Sequence, residues 1–346
     1  MFGKYDISFL TDDVLETKRM HQEDLEKLCR GEQLSFVPRI SNHVMRLPYI
    51  GAFDHETWLA EQIDYFRNNV DLLKNKSVFN VYGLSLSRYD LHFASAVMGC
   101  PVFGSTKAPV DWKSLSKIGV SMRDFQATNL DENEIFQEML SLAKFSVEAT
   151  EGRMPIELPY ISEPLVEAVN LFGEEFLIAL AQDHNLVEKI LDDITSTILE
   201  MRGRFVSAVP GFVFWPHGFS FRIMPEKYTL LFGCTTQLIS SESYRKHVME
   251  RDRLLLCCHA LGGCIHLCGN HLQHIKTWTS MDEVKAFQLN GDACDDLEKY
   301  WKALRPDQYI IFHPSRRVTV EDAMDITGGK RLVIYSEENR ELAVRD

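Results

Sequence analysis

The sequence predicts an α/β fold built as a (β/α)8 barrel, the TIM-barrel architecture. Short, nearly unbroken apolar runs rich in β-branched and aromatic residues alternate along the chain with amphipathic stretches of helical period. Strands of this kind are typical of a parallel sheet whose faces are covered by helices. Nine such runs occur, close to the eight that a barrel needs. The competing doubly wound fold is disfavoured because no Gly-x-Gly-x-x-Gly segment follows any of the runs.

The elements can be placed in order along the chain. We expect residues 1–35 to form an N-terminal helical extension and residues 36–346 to form a single-domain barrel. The predicted strands are Phe36–Ile40, Val78–Tyr82, Cys100–Phe103, Pro155–Leu158, Gly211–Trp215, Gly263–Leu267, Ala286–Leu289, Tyr309–Phe312 and Arg331–Tyr335. The predicted helices are Asn133–Ala149, Glu163–Phe172, Leu186–Phe205 and Ser240–His259. Barrel sites form at the carboxyl ends of the strands, so those ends are examined first for chemistry.

Composition narrows the classes of partner. The chain has 346 residues, with 37 Lys and Arg against 50 Asp and Glu, for a net charge of −13. An acidic surface repels phosphate backbones and anionic lipids, so we expect neither a nucleic-acid nor a membrane partner. The first residues lack the pattern of a signal peptide, and no run of about 18 apolar residues occurs. The eight cysteines are therefore expected to be reduced thiols in a cytoplasmic protein.

The segment from Gly262 to Asn270 carries the strongest chemical signal. On a strand, Cys264, His266 and Cys268 point to the same face, and Cys268 stands at the carboxyl end before a glycine. An imidazole and a thiolate on one face form part of a zinc site, although zinc requires three or four ligands. The alternative is that these cysteines are small buried apolar residues and that the histidine is a core residue.

Four segments, in order, resemble the uroporphyrinogen decarboxylase superfamily. They are KRMHQEDLEKLCRGEQLSFVPRI at 18–40, FASAVMGCPVF at 93–103, MPIELPYISEPLVEAVNLFGEEFLIAL at 154–180, and GGCIHLCGN preceded by LISSESYRKHVMERDRLLL. Together they span most of the chain. The superfamily fold is a (β/α)8 barrel, which agrees with the strand pattern.

The resemblance implies one of two chemistries. Decarboxylases of the porphyrin precursor use an N-terminal basic Pro-Gly-Arg-type motif. This chain has Arg39, preceded by Pro38, and Arg46 but no such cluster, and its charge suits an octa-anionic substrate poorly. Corrinoid-linked methyltransferases hold zinc with a His-x-Cys pair at one strand end and a further cysteine near the last strand. His266 and Cys268 match the pair, but no cysteine follows Cys294.

The third ligand is thus expected to be Cys294 or a carboxylate, Glu337 or Glu157. Some relatives transfer methyl groups from methylated amines without zinc. The resemblance therefore implies a methyltransferase that moves a methyl group between a small methylated substrate, or a thiol, and a corrinoid protein. The cobalamin would belong to that partner. The alternatives are a uroporphyrinogen decarboxylase-type lyase and a non-catalytic paralogue that binds a small molecule.

Further candidates follow predicted strands. Glu157, His217 and Asp292 are candidate catalytic residues, with an exposed carboxylate or a loop histidine without a role as the alternatives. The candidate substrate-binding residues are Trp215, Asn270 and His313. The aromatic segment 212–232 is interpreted as a lid, a docking surface for a partner domain, or a small satellite core. His271 and His274 could bind a metal but are expected on a solvated face, and Cys257 and Cys258 are expected in the interior.

Overall fold

The computed structural model describes residues 5–41, 54–79, 83–86, 88–105, 108–209, 213–214 and 228–336. The chain divides into two compact units, each built from separate stretches of sequence. One unit comprises Met1–Leu10, Val44–Val70 and Tyr82–Arg222, and the other comprises Thr11–His43, Asp71–Val81 and Ile223–Asp346. No helix in the described part of the chain combines the length and apolar character that a membrane crossing requires.

The unit that contains most of the C-terminal half is built on a seven-stranded sheet. Its strands are β1 (Arg39–Ser41), β2 (Val78–Phe79), β8 (Thr229–Phe232), β9 (Gly263–Leu267), β10 (Val284–Leu289), β11 (Tyr309–Phe312) and β12 (Leu332–Ser336). Every pairing is parallel, in the order β2-β1-β12-β11-β10-β9-β8. All residues of β8, β9 and β11 are buried, as expected for parallel strands that are covered on both faces.

One helix of this unit, α1 (Asp12–Cys29), precedes the strands of the sheet, and the others follow strands β8 to β11. The latter are α9 (Ser241–Ser243), α10 (Met249–Cys257), α11 (Ile275–Ser280), α12 (Leu297–Ala303) and α13 (Val320–Thr327), with a π-helical turn at Tyr244–Val248 between α9 and α10. The N-terminal helix α1 packs on the sheet: the Cys29 Sγ lies 3.6 Å from the Tyr309 hydroxyl, and the His21 ring lies 4.6 Å from that of Phe79.

The other unit contains two smaller sheets and most of the long helices. Its strands are β3 (Leu84–Ser85), β4 (Val102–Ser105), β5 (Ala108–Trp112), β6 (Ile156–Glu157) and β7 (Val213–Phe214). Its helices are α2 (His55–Asn68), α4 (Phe93–Val97), α5 (Glu134–Ala149), α6 (Pro164–Phe172), α7 (Glu174–Gln182) and α8 (His184–Ala208), while the short α3 (Val70–Leu73) spans the boundary between the units. Strands β3, β6 and β7 pair in parallel in that order.

The predicted α/β class with a parallel sheet is confirmed, whereas a closed barrel is not seen among the described residues. One predicted strand is placed differently. The run Cys100–Phe103 leads into β4, which pairs antiparallel with β5 in a separate two-stranded sheet. Two strands joined by a short connection pair as a hairpin, whereas a parallel pair needs a long crossover.

Local sequence signals explain several helix starts. The Asn133 side chain accepts a hydrogen bond from the Phe136 N–H and begins α5, and Asp183 caps α8 through the Leu186 N–H. Pro164 occupies the first turn of α6, where its missing N–H has no intrahelical partner to lose. Thr319 and Asp322 form a reciprocal capping box at the start of α13. The three side-chain caps each satisfy a backbone N–H that has no acceptor within its helix.

Candidate metal centre

Three metal-ligating side chains meet at the carboxyl ends of β8 and β9. His266 lies near the end of β9, Cys268 directly follows that strand, and Cys234 follows β8. One ligand atom from each of the three residues lies within 4.8 Å of the other two. In the described part of the chain they are the one group of three such side chains that could hold a metal ion.

The strand register brings Cys234 to this group. β8 and β9 pair so that Phe232 stands opposite His266, and the chain then turns at Gly233 into a short 3-10 helix, Gly233–Leu238. A Cβ atom at position 233 would lie 2.8 Å from Leu267 Cδ2 and 2.9 Å from Ile265 Cγ2. Glycine therefore lets this turn pack closely on β9, and the next residue, Cys234, faces the end of that strand.

The two thiols are in direct contact. The Sγ atoms of Cys234 and Cys268 share a hydrogen bond of 2.9 Å. This bond, together with the hydrogen bond and charge of His266, lowers the pKa of Cys268 to about 5, against the opposing effect of burial. Cys268 and Cys234 are both half-buried. A lowered pKa favours the thiolate, and the thiolate is the form of cysteine that binds metals and acts as a nucleophile.

A second layer of polar side chains orients the histidine. His266 Nδ1 lies 3.0 Å from Gln288 Oε1, and Gln288 Nε2 lies 2.8 Å from His313 Nε2. The His313 ring in turn stacks on Tyr335 at 4.2 Å between ring centroids, with 18° between the planes. A metal-binding histidine commonly uses its second nitrogen for such a hydrogen bond, which holds the ring in place.

His271 connects the two loops that carry the cysteines. Its Nε2 accepts a hydrogen bond from the Gly269 N–H at 3.3 Å, and its Nδ1 lies 3.0 Å from Thr236 Oγ1. His274 is hydrogen-bonded through Nε2 to the Thr236 carbonyl at 2.8 Å. The expectation that His271 and His274 lie on a solvated face is wrong, since both are fully buried. Burial lowers the pKa of His271 to about 4, so its imidazole stays neutral at neutral pH.

The donor set suits zinc. Two thiolates and one imidazole are ligands that zinc prefers, and three protein ligands leave one position open, as in catalytic zinc sites. The three ligands lie at two adjacent strand ends. Gln288 holds the His266 ring by a hydrogen bond, and His271 joins the two loops that carry the cysteines. The residues present therefore fit a catalytic zinc ion.

The other cysteines take no part in this group. Cys264, which shares a face of β9 with His266, is fully buried, and burial raises its pKa well above the ordinary value. Cys294, expected as a third ligand, donates from Sγ to the carbonyl oxygens of Leu289 and His313. Cys257 and Cys258, expected in the interior, are exposed at the end of α10.

The remaining sequence candidates are placed as follows. Glu157 lies in β6 of the other unit and is 1% exposed, so the alternative of an exposed carboxylate is wrong. Asp292 is exposed on the turn after β10. Asn270 is exposed, and its side chain accepts a hydrogen bond from the Leu272 N–H. Trp215, His217 and Glu337 lie outside the described residues, as does most of the segment 212–232.

Cys234 is the ligand that sequence reasoning missed. The segment from Tyr228 to Phe232 belongs to the aromatic segment 212–232 of the sequence analysis. It is also a short apolar stretch typical of a strand, and Gly233 and Cys234 follow it. Recognition of this strand would have placed a cysteine at a second strand end. The pattern is the same as that of Cys268, which also follows an apolar strand and adjoins a glycine.

Comparison with solved structures finds a methyltransferase from Methanosarcina mazei, with a TM-score of 0.57 and 14% sequence identity. The alignment covers 91% of this chain and 92% of that chain. No protein-family model matches the sequence, and no curated protein matches it. At this level of identity the likeness shows the fold alone, and it agrees with the α/β architecture of parallel strands and covering helices described above.

Proposed function

We propose that this protein is a methyltransferase that moves a methyl group between a small methylated substrate, or a thiol, and a corrinoid protein, with the help of a zinc ion. The observation that carries the proposal is the meeting of Cys234, His266 and Cys268 within 4.8 Å at two adjacent strand ends. Zinc ligation by two thiolates and one imidazole is typical of a catalytic zinc site.

Two further observations support this function. The fold is similar over nearly the full length of both chains to that of a methyltransferase from Methanosarcina mazei. The GGCIHLCGN segment also resembles the corrinoid-linked branch of the uroporphyrinogen decarboxylase superfamily. The proposed site departs from the pattern of that branch in one respect: the second thiolate is supplied by Cys234, at the end of β8, instead of by a cysteine near the last strand.

Some side chains of the proposed site hold the metal, and others hold those ligands in position. Cys234, Cys268 and the imidazole of His266 hold the metal, which when bound lowers the pKa of a coordinated thiol or polarises an oxygen. The protein contributes position: Gln288 orients the His266 ring, and His271 keeps the two cysteine-bearing loops together. In-line methyl transfer depends on such fixed geometry, since alignment of the reacting groups supplies much of the rate enhancement.

The remaining candidates keep in this proposal the roles that the sequence suggests for them. Asn270 and Asp292 follow β9 and β10, as Cys268 follows β9, and both side chains are exposed. His313 follows β11 and contacts Gln288. We assign Glu157, His217 and Asp292 to proton transfer, and Trp215, Asn270 and His313 to substrate binding. The cobalamin is assigned to the partner protein, which docks where the strand ends meet.

Metal content is the direct test. Protein purified without an affinity tag should contain about one zinc per chain by plasma emission, and Cys268→Ala and His266→Ala should each lose it. Cys257→Ala is the matched control, because this cysteine is exposed at a helix end and should leave the zinc content unchanged. Wild-type zinc content in Cys268→Ala or His266→Ala would rule the site out.

Methyl transfer is tested separately, with reduced corrinoid as acceptor and methylated thiols or amines as donors, followed by the absorbance of the corrinoid. Transfer that depends on zinc supports the proposal. Transfer by metal-free protein would favour the zinc-independent chemistry of methylated amines. The absence of both metal and transfer would favour a binding paralogue.

A further inference from the structure

Three buried polar side chains lie side by side near the carboxyl ends of the neighbouring strands β9, β10 and β11. His266 on β9 stands directly opposite Gln288 on β10, and His313 follows β11, the next strand. Their exposed fractions are 3%, 0% and 7% respectively. In a buried parallel sheet such residues are costly unless their hydrogen bonds are satisfied, so their pairing constrains each of them.

The amide of Gln288 determines where the protons lie. Its Oε1 can only accept, so the hydrogen bond of 3.0 Å requires that His266 carry a proton on Nδ1. Its Nε2 can only donate, so the hydrogen bond of 2.8 Å requires that His313 accept through Nε2. A neutral imidazole has one N–H, and a proton on Nδ1 of His266 therefore leaves a lone pair on Nε2.

We infer that Gln288 is a positioning residue that holds His266 in the Nδ1–H tautomer, so that Nε2 is the nitrogen offered to the metal. His313, which stacks on Tyr335, accepts the hydrogen bond from the nitrogen end of the same amide. The opposite orientation of the amide would place an N–H donor against Nδ1, move the imidazole proton to Nε2 and remove the metal-binding lone pair. The use of Nε2 for zinc rests on the proposed function, whereas the tautomer itself does not.

Nitrogen NMR on the metal-free protein measures the tautomer directly. In protein labelled with 15N at histidine and measured at alkaline pH, where imidazole rings are neutral, we expect His266 Nε2 to resonate as an unprotonated ring nitrogen and Nδ1 as a protonated one. The His266→Gln variant identifies the signals by their loss. Gln288→Leu should shift the tautomer toward Nε2–H, whereas Gln288→Glu keeps an acceptor and should restore the wild-type signals.

Gln308→Leu is the matched control. Gln308 is also fully buried in this unit, but its amide bonds to the Val284 carbonyl and to the Arg305 N–H. Its replacement removes a buried glutamine without touching His266, so the His266 signals should not change. An Nε2–H tautomer in the wild-type protein, or an unchanged tautomer in a folded Gln288→Leu variant, would overturn the inference.

Metal titration separates this inference from the proposed function. With zinc as the probe and a chelating dye as competitor, Gln288→Leu should bind zinc roughly 10–100-fold more weakly than wild type, the usual cost of losing such a partner. Gln288→Glu and Gln308→Leu should bind zinc as wild type does. A wild-type protein that binds no zinc would contradict the proposed metal site, and the NMR result would still decide the role of Gln288.

Discussion

Cys264 lies on β9 and Cys268 directly follows that strand, yet the two cysteines have opposite chemistry. Cys264 is fully buried, close to Cys29 and to the hydrogen-bonded pair of Tyr228 and Tyr309, and burial raises its pKa well above the ordinary value. Cys268 is half-buried beside a second thiol and a histidine, and its pKa falls to about 5. We call the two regions the thiol–tyrosine cluster (Cys29, Tyr228, Cys264 and Tyr309) and the candidate-ligand cluster (Cys234, His266 and Cys268).

The difference shows that neighbours and exposure, more than strand position, decide what a cysteine can do. A buried thiol without a polarising partner behaves as a small apolar side chain. A thiol at a strand end, in contact with another thiol and an imidazole, has the character of a metal ligand. Alternation along the strand predicts that Cys264, His266 and Cys268 share one face. It does not distinguish the fully buried Cys264 from the half-buried Cys268.

The largest expected effect is on metal content. Cys234→Ala removes one of three ligands and should reduce zinc from about one per chain to a small residue, because three donors are the fewest that hold catalytic zinc. Cys264→Ala changes the same residue type one strand length away and should keep the full zinc content. Plasma emission on the two purified variants measures this. Equal zinc content in Cys234→Ala and Cys264→Ala would show that Cys234 is no more a zinc ligand than Cys264 is.

Thiol labelling should separate the clusters by roughly 100-fold or more, since reaction needs both access and thiolate. In the metal-free protein under native conditions, iodoacetamide should modify Cys268 well before Cys264, which is fully buried. Peptide mapping by mass spectrometry at successive times gives both rates from one sample. Labelling in denaturant is the control and should make the two rates similar. Comparable rates in the native protein would contradict the contrast.

His271 should make stability depend on pH below neutrality. Its pKa falls from 6.5 to about 4 on burial beside His274 and His266, so the unfolded chain binds more protons between these values. The free energy of unfolding should therefore be highest above pH 6.5 and decrease as pH falls toward 4, by roughly 2–3 kcal/mol from this group. Urea unfolding of metal-free protein at pH 4.5 and 7 measures the change. His271→Phe should show a smaller decrease, and an equal one would exclude His271 as its source.

The smallest expected effect is at the thiol–tyrosine cluster. Tyr309→Phe removes a hydroxyl that bonds to Tyr228 at 3.2 Å and lies 3.6 Å from Cys29 Sγ. The loss should cost about 1 kcal/mol of unfolding free energy, the usual net value of a buried hydrogen bond. Zinc content should stay at the wild-type value. A loss of zinc in this variant would show that the two clusters are coupled through β9.

Much of the secondary structure was predictable, since the apolar runs at 263–267 and 309–312 coincide with β9 and β11. His266 and Cys268 were also predicted together, because alternation along one strand is a local property. Cys234 was not predicted, because its place beside them depends on the pairing of β8 with β9, which no single-strand pattern contains. His271 was misplaced for a similar reason: its partners Thr236 and Gly269 lie on two different loops.

The link through His271 between the loops after β8 and β9 has a consequence for the proposed metal site. Thr236, His271 and Gly269 hold the two cysteine-bearing segments together by hydrogen bonds that need no ion. In small zinc domains the binding energy of the metal is spent on folding the chain. Here protein groups alone join the two segments, so the proposed zinc ion would bind loops that are already connected, and its removal should leave the fold in place.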